Sequence, residues 1–167
     1  MPKASLDFGG LARLGGPAPD PRGTVVAEAN NAQPSGALSP YLSNVVIGDD
    51  FGKLTEFGAR NVFFVHPGRT TPTRFAFNVK KFRAEFPGGA VSLNAEIDPR
   101  VPPEAITRGG GTAHIVVSAG GKEWGQAVVR PGQPFTLQVP PTAGDMLDIS
   151  VDANGAPDTN WLLLTFK

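Results

Sequence analysis

Two histidines, His66 and His114, are the residues of this sequence that could act as imidazole bases. His66 ends the run Phe-Phe-Val-His before Pro-Gly, so it closes a predicted strand beside a turn. Loops at strand ends carry binding groups on a rigid frame, and His66 could therefore either contact a ligand or order its own loop. His114 alternates with apolar residues on another predicted strand, which favours a solvated strand histidine over a catalytic base.

Motifs for covalent and metal-dependent catalysis are missing from the sequence. No serine lies in a Gly-x-Ser-x-Gly elbow, no His-Glu-x-x-His spacing occurs, and cysteine is absent. The three glycines at 109–111 precede a predicted strand, whereas a phosphate cradle needs a helix N-terminus. Asp148, Asp152, Asn154 and Asp158 could offer oxygens to calcium, but their spacing lacks the order of an EF-hand and favours turns. The sequence therefore predicts no catalysis, no metal and no cofactor.

Charge and hydropathy restrict the partners. Fifteen basic and fifteen acidic residues cancel, so no global field draws nucleic acid or an anionic membrane. Five cations between residues 69 and 83 make one strand face locally basic, which suits either an acidic partner or a solvated face. No apolar run approaches the ~20 residues of a membrane span, and residues 1–10 lack the pattern of a signal peptide. We expect neither nucleic acid nor membrane as a partner, and the location stays open.

Two tryptophans could form or support a binding surface. Trp124 follows the predicted turn Gly-Gly-Lys-Glu, where an indole ring can stay partly exposed. The C–H face of a sugar stacks on such a ring while Glu123 and Gln126 bond the sugar hydroxyls; packing in the core is the alternative. Trp161 precedes three leucines, which favours a place in the core with its N–H bonded across the loop.

Glycine and proline punctuate alternating apolar segments, which is typical of short strands joined by turns. The 167 residues include 21 glycines and 17 prolines. Residues 102–106 support at most one helical turn. Alternation gives each predicted strand one apolar face, as in antiparallel sheets that share a core. The sequence predicts an all-β protein, a jelly-roll-like antiparallel β-sandwich of about eight strands. Those strands are predicted at residues 61–66, 74–79, 91–97, 112–118, 123–129, 135–139, 147–151 and 161–166.

The first 37 residues differ from the rest of the chain. They are rich in Gly, Pro and Asn, with one plausible strand at residues 24–27. Such a composition does not bury enough surface to order itself, so we expect an extended arm at residues 1–37 and a β-sandwich domain at residues 38–167. The arm carries apolar anchors at Leu11, Leu14, Val25 and Val26. We expect it to dock on protein neighbours in a homo-oligomer or a larger assembly.

Three segments carry a resemblance to a known family. Residues 147–167 read LDISVDANGAPDTNWLLLTFK, where an alternating strand leads to an Asp-x-x-Trp segment and a final strand. Residues 63–98 contain a strand ending in His-Pro, a polar turn, an Arg-led apolar strand and a Phe-x-Ala segment. With the strand and turn of residues 110–129, these features resemble the NPCBM group of carbohydrate-binding β-sandwiches. The resemblance covers about residues 38–167. It implies a non-catalytic module that recognises terminal sugars through end-loop residues.

We therefore expect a non-catalytic module that binds a glycan or cell-surface polysaccharide and is presented on a larger particle. The alternative is a structural protein of a phage or phage-like virion, such as a capsid decoration, cement or spike protein, whose arm docks on neighbouring subunits. In the first case, loops at one end of the sandwich should supply the ligand contacts. The residues expected there are His66, Arg69, Glu123, Trp124, Gln126, Asp158, Asn160 and Trp161.

Overall fold

The protein is a sandwich of two antiparallel β-sheets, as the alternation of apolar and polar residues predicts. A computed structural model describes residues 23–29, 39–57, 61–155 and 159–167. Within them lie eleven strands, one short 3-10 helix at Pro141–Ala143 and two short α-helices, α1 (Val79–Glu85) and α2 (Pro103–Thr107). The strands are β1 (Gly23–Glu28), β2 (Leu42–Val46), β3 (Lys53–Phe57), β4 (Val62–His66), β5 (Thr73–Asn78), β6 (Val91–Ile97), β7 (Ala113–Ala119), β8 (Lys122–Val129), β9 (Phe135–Val139), β10 (Met146–Asp152) and β11 (Leu162–Phe166).

The strand order places β10 and β11 inside the two sheets. One sheet has six strands in the order β1-β3-β4-β11-β6-β9, and the other has five in the order β2-β5-β10-β7-β8. Every strand pair is antiparallel, and β10 is paired with β5 on one side and β7 on the other. Consequently the outer face of the five-stranded sheet brings β10, β7 and β8 side by side.

Alternation along the strands explains why the two sheets share one core. In β7, alternate residues from Ala113 to Ala119 are buried, while His114, Val116 and Ser118 between them are partly exposed. Aromatic rings from both sheets meet in the centre: Phe77 of β5 stacks on Phe166 of β11, with ring centroids 3.8 Å apart and planes 4° apart. Burial of these apolar faces supplies the main driving force for folding.

Helix α1 was not predicted, because it has fewer than two full turns and directly continues a strand. The side-chain oxygen of Asn78 accepts a hydrogen bond from the Lys81 backbone N–H at 2.9 Å and caps the helix. Val79 and Phe82 are buried. The strand predicted at residues 74–79 therefore ends one residue early. Helix α2 has five residues, in agreement with the single predicted turn.

Strands β2 and β3 were also missed, since neither alternates cleanly. Strand β2 contains an irregularity between Ser43 and Val46, and Asn44 has a positive φ of 52°. In β3, three successive residues are buried, from Leu54 to Glu56, so its pattern has no period of two. The structure has more strands than the eight predicted for the same reason.

One part of the predicted arm belongs to the sheet. Strand β1 falls within residues 1–37 and pairs with β3 along the edge of the six-stranded sheet. Val26 of this strand is buried in the core. The plausible strand at residues 24–27 thus forms within the sandwich of its own chain. Docking of the arm on neighbours stays a prediction, and residues 1–22 and 30–38 lie outside the described residues.

Candidate functional site

His66 lies at the end of β4 with its ring fully buried. Nδ1 stands 2.7 Å from the carbonyl oxygen of Pro67, so this nitrogen carries the hydrogen and donates it. The ring meets Phe51 edge-on, with centroids 6.0 Å apart. Burial lowers the pKa of His66 to about 4, and the nearby positive charge of Lys53 acts in the same direction. His66 is therefore a neutral residue that orders the strand end.

A single carboxylate joins the β2–β3 loop to the β4–β5 loop. Asp49 Oδ1 accepts from the backbone N–H groups of Thr70 and Thr71 at 2.8 and 2.9 Å, and both threonine hydroxyls also donate to this carboxylate. These bonds, led by the Thr70 backbone N–H, hold the pKa of Asp49 well below its usual range. The loops pack so closely that a side-chain carbon at Gly48 or Gly68 would collide with the carbonyl oxygen of Thr71.

Arg69 lies on the same pair of loops and is exposed. Its Nε donates to Asp50 Oδ2 at 3.1 Å, and its guanidinium lies 5.0 Å from the centre of the Phe51 ring. These two contacts direct the side chain along the loop surface. Arg69 is thus exposed on a loop at a strand end, and its contact with a ligand stays a prediction.

Four side chains form a continuous hydrogen-bonded row across the outer face of the five-stranded sheet. His114 on β7 bonds Asp152 on β10 through Nδ1 and Gln126 on β8 through Nε2, both at 2.9 Å. Gln126 Nε2 donates to Glu123 Oε2 at 3.1 Å. We call these residues, Glu123, Gln126, His114 and Asp152, the polar row. Because it spans three adjacent strands, their pairing fixes the spacing of its members.

The polar row adjoins a groove at one end of the sandwich. This groove has a volume of about 350 Å³ and is lined by two loop segments, residues 68–72 and residues 152–155. Asp152 belongs to both features, since its Oδ2 faces His114 while its Oδ1 accepts from the Asn154 backbone N–H at 2.9 Å. Arg69 and Asn154 both line this groove, each from a different loop segment. The row and the groove therefore form one polar surface.

Three of the predicted contact residues are buried. His66, Asn160 and Trp161 each have 0% exposure, so none of them reaches a ligand in solution. Asn160 Nδ2 donates to the carbonyl oxygen of Ala153 at 3.1 Å and to that of Thr112, which holds the loop behind the groove. These side chains support the surface from beneath and do not form it. Asp158 lies outside the described residues.

Trp124 is half-buried at the edge strand β8. Its ring packs against the edge of the core, and Lys122 Nζ lies 4.6 Å from the ring centre. Its Nε1 is buried and has no hydrogen-bond partner within the described part of the chain. The ring therefore packs inward without being fully enclosed, and stacking of a sugar on it stays a prediction. Trp124 also lies several residues along β8 from the groove, because Val128, not Trp124, pairs with His114.

The structure therefore groups the predicted residues differently from the sequence. It unites Glu123 and Gln126 in the polar row, places Arg69 at the groove and leaves Trp124 beside the row. Sequence reasoning missed His114 and Asp152 as partners, and the available signal was their outward position on alternating strands. Only the pairing of β7 with β10 shows that these two positions are adjacent.

Comparison with known proteins gave no match, either to a protein-family model or to a curated protein sequence. Within the described ranges, no three side chains of His, Asp or Glu are grouped so that they could hold a metal ion. In the same part of the chain, neither α-helix has the length and apolar character needed to span a bilayer.

Proposed function

We propose that the protein is a non-catalytic binding module that recognises a glycan through the polar row and the adjoining groove. The observation that carries this proposal is the row itself. Side chains from three strands are bonded to one another and held at fixed spacing on an open sheet face. Such preorganised polar groups lose little rotamer freedom when a ligand binds, which favours affinity.

The chemistry of the surface suits the hydroxyl groups of a saccharide. Each sugar hydroxyl both donates and accepts, so a binding surface needs donors and acceptors close together. Glu123 offers carboxylate oxygens, Gln126 an amide, and Arg69, which lines the groove, guanidinium N–H groups. Glu123, Gln126 and Arg69 are all exposed. The half-buried ring of Trp124 adds an apolar surface beside the row on which a sugar C–H face can rest.

The bonding of the histidines supports a binding role over a catalytic one. Both ring nitrogens of His114 face acceptor atoms of its own chain, and the imidazolium that donates to both has no lone pair with which to take a proton from a substrate. The ring of His66 is buried and bonds the Pro67 carbonyl. Each histidine thus holds neighbouring groups in position.

Affinity for a single sugar should be weak. A well-made neutral hydrogen bond contributes about 1 kcal/mol, and stacking on an exposed ring contributes about as much. A few such contacts give useful binding only when many copies act together. Display on a particle or in an oligomer would supply that multivalency.

A glycan array probed with a multivalent form of the full chain tests this proposal. Binding should be lost in Glu123→Ala and weakened in Arg69→Ala and Trp124→Ala, while each variant keeps the circular dichroism spectrum of the folded protein. Thr136→Ala is the matched control, because it removes a comparable exposed bond, to Asn94 at 3.1 Å, on the other sheet. Asp158→Ala tests the one predicted contact outside the described residues. An array without signal at high valency would refute glycan binding.

A structural role in a phage-like particle is the second candidate. Strand β1 occupies the edge of its own sheet by pairing with β3, so residues 1–22 are the part of the predicted arm that remains for docking on a neighbour. Strand addition is also a common way for an arm to attach to a neighbour. Deleting residues 2–22 while keeping β1 should leave the unfolding transition unchanged and abolish oligomers or particle binding. If oligomers and particle binding persist without these residues, the arm is not the docking element.

A further inference from the structure

The position of His114 between two hydrogen-bond acceptors depends on its protonation. Nδ1 faces the carboxylate of Asp152 and Nε2 faces the amide oxygen of Gln126, each at 2.9 Å. A neutral imidazole has one N–H, whereas an imidazolium has two. Only the imidazolium therefore donates to both partners at once.

The amide of Gln126 cannot relieve this requirement by turning over. Its Nε2 already donates to Glu123 Oε2 at 3.1 Å. A flipped amide would place its oxygen against the Glu123 carboxylate, and that bond would be lost. The position of Glu123 thus keeps Oε1 of Gln126 directed at the His114 ring.

The charged groups that face His114 are acidic. Asp152 on β10 contacts the ring directly, and Glu123 on β8 lies beyond Gln126; β7 carries no other ionisable side chain. The hydrogen bond to Asp152 raises the pKa of His114 above its ordinary value of 6.5, and partial burial opposes this. Gln126 and Glu123 raise it further.

We infer that His114 is a pH-dependent positioning residue of the polar row, whose imidazolium holds the Gln126 amide and the Asp152 carboxylate in place. When His114 loses this proton, one of the two acceptors faces a lone pair of the ring instead of an N–H. The side chain that carries this acceptor then moves away. Gln126 also holds Glu123, and Asp152 lines the groove, so one proton controls both parts of the surface. The consequence for ligand binding rests on the proposed function. Saccharide affinity should be highest at low pH and should fall as pH rises through the pKa of His114.

An NMR titration of the histidine rings in the full chain, without ligand, tests the positioning role directly. The His66 ring titrates near pH 4 and is therefore separated from that of His114. We expect His114 to titrate above 6.5 and Asp152→Asn to lower its pKa. If His114 titrates at or below 6.5, or is unaffected by Asp152→Asn, the inference is overturned whatever the protein binds.

A glycan array read at about pH 5.5 and about pH 8.5 tests the consequence for binding. The multivalent wild-type chain should bind about fivefold more weakly at the higher pH, as expected from the loss of one ordinary hydrogen bond. His114→Gln, which cannot titrate, should show no such change, and Thr136→Ala should keep the wild-type profile. If glycan binding by the wild-type chain does not change with pH, the proposed control of binding by His114 is overturned. If the array is blank at both pH values, the proposed function fails, while the NMR titration still decides the role of His114.

Discussion

The two histidines lie near the same end of the sandwich and meet opposite environments. Thr73 links them: its hydroxyl donates to the carbonyl oxygen of His66 at 2.8 Å, and its backbone pairs with Val151, the neighbour of Asp152. His66 is buried beside a carbonyl group, and its pKa is lowered to about 4. His114 is partly exposed between acceptors, and its pKa is raised. The same side chain thus favours the neutral form at residue 66 and the charged form at residue 114, although the two positions lie near each other.

This contrast shows that burial and partner decide the role of each histidine. A buried imidazole without an acidic partner stays neutral and acts as a packing residue with one hydrogen bond. A partly exposed imidazole beside a carboxylate becomes a cation that organises its neighbours. The first role concerns stability, whereas the second concerns the geometry of a surface.

The largest expected effect is on stability, from replacing the buried histidine. His66→Ala removes a ring that packs against Phe51 and a bond to the Pro67 carbonyl. We expect a loss of about 2–4 kcal/mol in the free energy of unfolding, measured by urea denaturation. A loss no larger than that of His114→Ala would remove the distinction between the two sites.

The next effect is the response of stability to acid. Between pH 6.5 and about 4 the unfolded chain binds a proton at residue 66 and the folded chain does not, so stability falls as pH falls. By pH 4 this difference in proton binding at His66 has lowered the free energy of unfolding by about 3 kcal/mol. His66→Phe keeps an aromatic ring without a titrating group, and its stability should fall less over this range. If the free energy of unfolding falls equally steeply with pH in the two proteins, His66 is protonated in the folded state.

The hydrogen bonds by which Asp49 joins the β2–β3 loop to the β4–β5 loop should affect the structure more locally. Asp49→Ala removes the acceptor for the backbone N–H groups of Thr70 and Thr71, so these two amides should exchange with deuterium about tenfold faster. Asp49→Asn is the matched control, because it keeps one side-chain oxygen and loses the charge. Its exchange rates should lie between those of the wild type and Asp49→Ala. Unchanged exchange in Asp49→Ala would show that close packing at Gly48 and Gly68 suffices to hold the loops.

The smallest effect on stability is expected at His114. Its pair with Asp152 is partly exposed, so His114→Ala should cost about 1 kcal/mol or less. Because the folded pKa is raised, this contribution is complete below the unfolded value of 6.5 and is lost as pH rises through the folded pKa. Urea denaturation of both proteins at low and high pH checks this. If His114→Ala destabilised the protein more at high pH than at low pH, the expected direction of the pH dependence would be contradicted.

Regular alternation made most strands predictable from the sequence. Strand β6 alternates over seven residues and appears at residues 91–97 as predicted. Helix α1 escaped prediction because Phe75, Phe77 and Val79 continue the strand pattern, whereas the Asn78 cap turns the chain into a helix. Local composition does not reveal such a cap when the helix is this short.

The candidate site was less predictable, because it depends on register and burial. Glu123 and Gln126 were named from their neighbourhood to Trp124, but their link to His114 requires the pairing of β7 with β8. The burial of Trp161 agrees with the place in the core that the three following leucines predict, whereas the burial of His66 at the end of β4 has no local signature. Hydrogen bonds between residues 38 positions apart, such as His114 with Asp152, have no local signature.

The position of β11 in the six-stranded sheet has a consequence for how this protein is made. This strand pairs with β4 on one side and β6 on the other, although both are synthesised well before it. As the chain leaves the ribosome, the edges of β4 and β6 that will pair with β11 stay without this partner until β11 emerges. The sheet therefore closes after translation of residue 166, and slow, non-local pairing should limit the folding rate. During that interval the unpaired edges of β4 and β6 can pair with other chains, so aggregation competes with folding until β11 is in place.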